Sequence, residues 1–179
     1  MLYKVKGKEV EKVSQTKLKQ EEKIEQDLEN WIEQDPSILG ENLLIFGRQV
    51  QIPEVNDRID LLALDTNGNV VIIELKKDKI KEPVDIQALR YASYVSRWEY
   101  DDLEKQASNY FSEKGEEEFN LNEKFEEFCV SLGIDEIPDI NQEQRIIIVG
   151  YKLKEKLGSV ALWLREHSID IKIIEVTFF

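Results

Sequence analysis

The chain has one cysteine and one histidine in 179 residues. A lone Cys129 rules out a disulfide framework and a cysteine-ligated zinc site, and it agrees with a reducing compartment. It lies in the apolar stretch 125–132, where a single thiol reads as an ordinary core residue. A lone His167 cannot build a histidine metal site and instead suits the C-terminal end of a helix, where partial positive charge is favoured. No run of about 20 apolar residues is present to form a bilayer-spanning helix, and the first five residues are not followed by the apolar segment of a signal peptide. The expected location is the cytoplasm, with no membrane partner. Basic charge is also scarce. Against 24 Lys and Arg stand 37 Asp and Glu, a net charge of −13, which is the reverse of what phosphate neutralisation asks of an ordinary nucleic-acid binder. The distribution softens that objection. Lys76, Lys77, Lys79 and Lys81, with Arg90 and Arg97 further on, form a basic rim, while residues 113–127 are densely acidic.

The length suits one domain over residues 1–179 with a sizeable core. Residues 1–16 are polar and lysine-rich, and read as a short strand with a loose lead-in. Residues 16–34 read as a helix with Ile24, Leu28, Trp31 and Ile32 on one face, stopped at Asp35 and Pro36. Strand patterns cover 43–52, 59–64 and 70–75, and Pro83 suits the first position of a helix reaching about Trp98. Residues 101–140 read as an acidic helical insertion, followed by a strand at 145–151, a helix at 155–166 and a strand at 169–178. This order predicts an α/β fold, a central mixed β-sheet flanked by helices, with core segments 16–100 and 145–179.

The most informative stretch is 58–76. Two aliphatic runs flank an Asn-Gly turn, a hairpin signal, and their lack of alternation suits strands covered on both faces. Into this apolar setting the sequence puts Asp60, Glu74 and Lys76. Charges there are costly unless paired or bound to a metal. If Thr66, Asn67 and Gly68 form a three-residue loop, Asp65 faces Asn69 and Asp60 faces Glu74. Cross-strand Cβ atoms then lie roughly 4.5–5.5 Å apart, close enough for both carboxylates to share one divalent cation. A two-residue turn would shift the register by one and send Asp60 to the other face. A salt-bridge cluster of Asp60, Glu74 and Lys76 at a sheet end is the bland alternative.

Asp60, a gap of thirteen residues, then Glu74-Leu-Lys76 on a hairpin resembles the metal-binding signature of the PD-(D/E)XK nuclease superfamily. With the text flanking Asp60 and Glu74, and with Gln87 and Tyr91 on the following helix, residues 20–100 are similar to the catalytic domain of NucS-type endonucleases and their uncharacterised relatives. The stretch 162–172 resembles their closing helix and strand more loosely. The 179 residues leave no room for the separate N-terminal DNA-binding and dimerisation domain of NucS enzymes, so preferences for branched or mismatched DNA do not carry over.

The resemblance implies a restriction-endonuclease-like αβββαβ core and metal-dependent hydrolysis of phosphodiesters, with DNA favoured as substrate and internal cleavage favoured over digestion from ends. A repair, restriction or mobile-element defence role follows from it. Asp60, Glu74 and the backbone carbonyl of Leu75 are the expected ligands of Mg²⁺, with Mn²⁺ as a substitute. Lys76 and Gln87 are the expected catalytic partners. In relatives the first helix supplies a further Glu within an E-x-x-L pattern. Glu25 with Leu28 fits that pattern, and Glu29 is the alternative. Lys77, Lys79, Tyr91 and Arg58 are the expected substrate contacts. A homodimer, or a subunit of a larger complex, is a compatible assembly. A nuclease-fold module that binds nucleic acid or a protein partner without cleaving is the competing function.

Overall fold

The computed structural model describes residues 2–6, 9–13, 25–52, 54–76, 84–116, 118–150 and 153–177. A short antiparallel hairpin, β1 (Leu2–Lys6) with β2 (Glu9–Val13), opens the chain. One strand was expected here. The second follows from the charge pattern, because the antiparallel register sets Lys4 opposite Glu11 and Lys6 opposite Glu9. Helix α1 spans Glu25–Gln34, shorter than the 16–34 read from the sequence, whose first part lies outside the described residues. Asp35 stops it, accepting from the Ser37 N–H at 3.1 Å to start a 3₁₀ turn over Pro36–Leu39.

Three strands follow: β3 (Leu44–Ile52), β4 (Asp57–Leu64) and β5 (Val70–Lys76). Helices α2 (Val84–Val95), α3 (Tyr100–Glu113) and α4 (Leu121–Ser131) lead to β6 (Gln144–Gly150), α5 (Lys154–Glu166) and β7 (Ile171–Glu175). The closing strand is shorter than the expected 169–178, because the Ile169 N–H returns to Leu164 O at 3.0 Å and belongs to the end of α5. His167 caps α5, with Nδ1 2.8 Å from the Trp163 carbonyl oxygen. The five-stranded sheet runs β3-β4-β5-β6-β7. Its first three strands are antiparallel, and β5, β6 and β7 are parallel. This is the expected mixed sheet with helices around it.

Burial follows the apolar text. Every residue from Ile59 to Leu64 except Asp60 is buried, and β5 is buried up to Lys76. Along β6, Ile147 and Val149 join the larger apolar cluster, while Ile146 and Ile148 join a smaller one with Leu157, Ala161 and Leu164 of α5. Alternate residues of one strand thus feed two cores, so the sheet is covered on both faces. Cys129 is buried in the larger cluster. Within the insertion Phe111 stacks on Phe119 at 4.3 Å, and the Tyr110 hydroxyl of α3 ties the insertion to the rest of the fold by donating to Glu33 of α1 at 2.9 Å.

Candidate active site

The β4–β5 turn has the three-residue form. The Asp65 N–H donates to Asn69 O at 3.1 Å, the Gly68 N–H donates to Asp65 O at 3.1 Å, and Gly68 has φ +78°. Glycine adopts that left-handed backbone without steric cost. Leu64 pairs Val70 and Leu61 pairs Ile73, so Asp60 and Glu74 stand at the next facing position. The ladder ends there. In place of a carbonyl, Asp60 Oδ2 accepts the Leu75 N–H at 2.8 Å.

Glu74 is 1 % exposed, and its Oε1 is buried with no hydrogen-bond partner. Its other oxygen lies 3.4 Å from Lys76 Nζ. Burial, then the neighbouring charge of Asp60, push the Glu74 pKa up to about 8, against the pull of Lys76. Burial likewise raises the pKa of Asp60, and Glu29 adds to it, while the Leu75 N–H, Lys76 and Gln49 oppose it. The hairpin therefore brings Asp60, Glu74 and Lys76 together in one mostly buried group. Close packing of β6 holds its far end: Gly150 faces Lys76 across the parallel ladder, and a Cβ there would come within 2.5 Å of Lys76 O.

Helix α1 supplies Glu29, which is 5 % exposed. Arg48 of β3 forks across this helix, with Nε 2.6 Å from Glu29, Nη1 2.6 Å from Glu33 and Nη2 2.6 Å from Asn30. Between Glu29 and Asp60 lies the Gln49 amide, donating to Glu29 Oε2 at 3.1 Å and to Asp60 Oδ1 at 3.2 Å. Glu29, the alternative acid, is thus joined to the hairpin pair through Gln49. The side chain of Glu25 lies outside the described residues. A cleft of about 780 Å³ opens beside this group, lined by Gln26, Glu29, Asn30, Arg48, Gln49 and Glu113.

On the other flank, Gln87 of α2 donates to the Tyr91 hydroxyl at 2.7 Å and to Asp57 Oδ2 at 3.3 Å. The Tyr91 hydroxyl is also hydrogen-bonded to Asp57. Burial and then that carboxylate hold the Tyr91 pKa well above the ordinary phenol value. Although burial acts to raise it, Asp57 is held below the usual carboxylate range by Tyr91, the Arg58 N–H, Gln87 and the charge of Lys76. Arg58 is exposed two residues before Asp60. Lys77, Lys79 and Lys81 lie outside the described residues, and Arg90 and Arg97 are exposed.

The sequence reading missed Gln49 and Asp57. Asp57 stands at the start of a strand, where an acid reads as solvated, and only the return of α2 gives it partners. Gln49 carried no signal at all.

No family model matches the chain. In structure it is similar to a repair endonuclease from Pyrococcus abyssi, with TM-score 0.47 and 18 % identity over 86 % of this chain and 47 % of that one. It is also similar to EndoMS, solved in complex with double-stranded DNA, with TM-score 0.39 and 17 % identity over 84 % of this chain and 44 % of the other. The likeness is one of fold. The chain spans less than half the length of either structure.

Among the described residues, no three His, Cys, Asp or Glu side chains converge closely enough to hold a metal ion. The Gln49 amide occupies the gap between Glu29 and Asp60. The donors nevertheless fit a hard cation. They are carboxylate oxygens, one is buried without a partner, and the pKa of the most buried acid is raised as an uncompensated charge requires.

Proposed function

We propose that the chain is a metal-dependent nuclease that hydrolyses phosphodiester bonds in DNA, cutting internally. The observation that carries this reading is the facing pair Asp60 and Glu74 beside Lys76, with Glu74 Oε1 buried and unpartnered. A buried Glu74 facing a half-buried Asp60, with one lysine beside them, is a poor structural device and a good cation site. DNA as the substrate class rests on the resemblance carried by residues 20–100.

Asp60, Glu74 and the Leu75 carbonyl would hold Mg²⁺, or Mn²⁺ in its place, with Glu29 as the helix acid. That ion supplies polarisation of the scissile phosphate and acidification of a bound water. Lys76 would donate to the phosphate oxygen on which charge builds, an interaction that strengthens in the transition state. Gln87 uses its amide N–H groups on Asp57 and Tyr91, which leaves its carbonyl oxygen to accept from the attacking water and orient it. Asp57 and Tyr91 position Gln87. The net charge of −13 favours, as a second reading, a nuclease-fold module that binds nucleic acid or a protein partner without cleavage.

A panel of labelled single-stranded, duplex and branched DNAs with Mg²⁺ or Mn²⁺ separates the two. Cleavage is expected to require the cation and to vanish in Asp60→Asn and Glu74→Gln. Lys76→Ala is expected to depress turnover strongly and change binding little, whereas loss of both in equal proportion would make Lys76 a simple anchor. Folded wild-type protein that cuts no member of the panel with either ion would overturn the enzymatic reading.

A further inference from the structure

Strand β3 carries an irregularity near its start. Its register with β4 shifts between Ile45 and Gly47, then runs through Arg48 facing Leu61 and Val50 facing Ile59. Gln49 holds the position facing Asp60, but its φ is +48°, a left-handed backbone in the middle of a strand. That conformation is unfavourable for a residue with a Cβ and is retained at sites where it serves a purpose. Core filling is not that purpose, since Gln49 is exposed and lines the cleft. Its amide has two N–H donors. One goes to Glu29 of α1 and the other to Asp60 of β4.

We propose that Gln49 is a positioning residue of the candidate site: its left-handed backbone, beyond the β3 register shift, carries its amide between Glu29 and Asp60 and ties the helix acid to the strand acid. A neutral donor suits this task. It satisfies two like charges at once without bringing a competing positive charge, so the acids stay assembled until a cation takes over their oxygens. The proposal rests on reading Asp60 and Glu74 as a cation site, and it assigns the spacing of the third acid to a residue outside the hairpin.

The test compares the full-length wild type with Gln49→Gly, which removes the amide and accepts the left-handed backbone. The measurements are the melting midpoint without cation, Mn²⁺ affinity by calorimetry, and hydrogen exchange of the α1 amides. The midpoint is expected to stay near wild type, because relief of the backbone offsets the added freedom of the unfolded glycine. Mn²⁺ affinity is expected to fall about tenfold, and α1 amides to exchange faster. Unchanged Mn²⁺ affinity overturns the proposal. Weaker binding with unchanged α1 exchange also overturns it, because Gln49 would then act as a direct ligand. Should the wild type bind no Mn²⁺, the cation reading fails on its own. The tie is then judged on exchange alone, faster α1 exchange supporting it and unchanged exchange overturning it.

Discussion

Glu74 sets the pH behaviour of the cation-free protein. Its folded pKa of about 8 lies above the ordinary 4.5, so between those values the folded state holds more protons than the unfolded state. Stability must therefore fall as pH rises through that window, the contribution being fully present below 4.5 and lost above about 8. The upward shift of Asp60 acts with the same sign. Glu74→Gln should remove part of this slope and, at pH 8 without cation, stabilise the fold by on the order of 1–3 kcal/mol. Thermal melts of both proteins from pH 5 to pH 9 check it, and parallel curves would show that Glu74 is not the titrating group. At this scale the central pair was legible in the sequence, because a carboxylate inside an aliphatic strand stands out, while its register hung on the loop type, which takes the three-residue form over Thr66, Asn67 and Gly68. Gln49 was illegible. A glutamine between Arg48 and Val50 looks like any strand surface, and the left-handed backbone that aims it has no local signature.

Elements hold the site by a few cross-links. Arg48 pins α1 to β3 through Glu29, Asn30 and Glu33, and Glu33 is shared with Tyr110 and Lys114 of the insertion. Arg48→Ala would take the guanidinium away from two mostly buried carboxylates, leaving Glu29 to Gln49 and Glu33 to Tyr110 and Lys114. Because the guanidinium is itself partly exposed, the full cost of breaking a buried pair is discounted to roughly 1–3 kcal/mol. Urea unfolding should show a lower midpoint with an unchanged slope, and no shift would mean that apolar packing of Leu28 and Ile32 alone seats the helix. The order of elements from α1 to β7 was legible, since hydrophobic period and turn residues mark each one. Their ends were less so. The second of the paired N-terminal strands was also missed, because alternation of opposite charges across a hairpin is weaker text than an apolar run.

For the whole molecule, the net charge of −13 limits how it meets a polyanion. Few cations are available to neutralise phosphates, so DNA binding without a metal ion should be weak and only shallowly dependent on salt. Lys77, Lys79 and Lys81 lead directly from the candidate site, and their triple alanine variant should lower the salt slope by about 0.9 for each phosphate no longer neutralised on duplex DNA, or about 0.7 on a single strand. Binding titrations from low to moderate salt measure this, and an unaltered slope would move the polyanion-facing surface elsewhere, to the side of Arg90 and Arg97. The basic run was legible only as composition. A lysine run sets no periodicity, so its sequence says where charge is but not what it faces.

The bond from the Leu75 N–H to Asp60 Oδ2 makes a main-chain proton part of the site. A peptide N–H held by a carboxylate is a charge-assisted donor, and its resonance responds to whatever shares that oxygen's charge. Leu75 is therefore a built-in spectroscopic reporter that needs no label at the site and no turnover. Mg²⁺ titration followed by ¹⁵N–¹H correlation should move the Leu75 cross-peak early, with Leu64, at the opposite end of the hairpin, as the internal standard. In Asp60→Asn the same peak should begin displaced and no longer follow the ion.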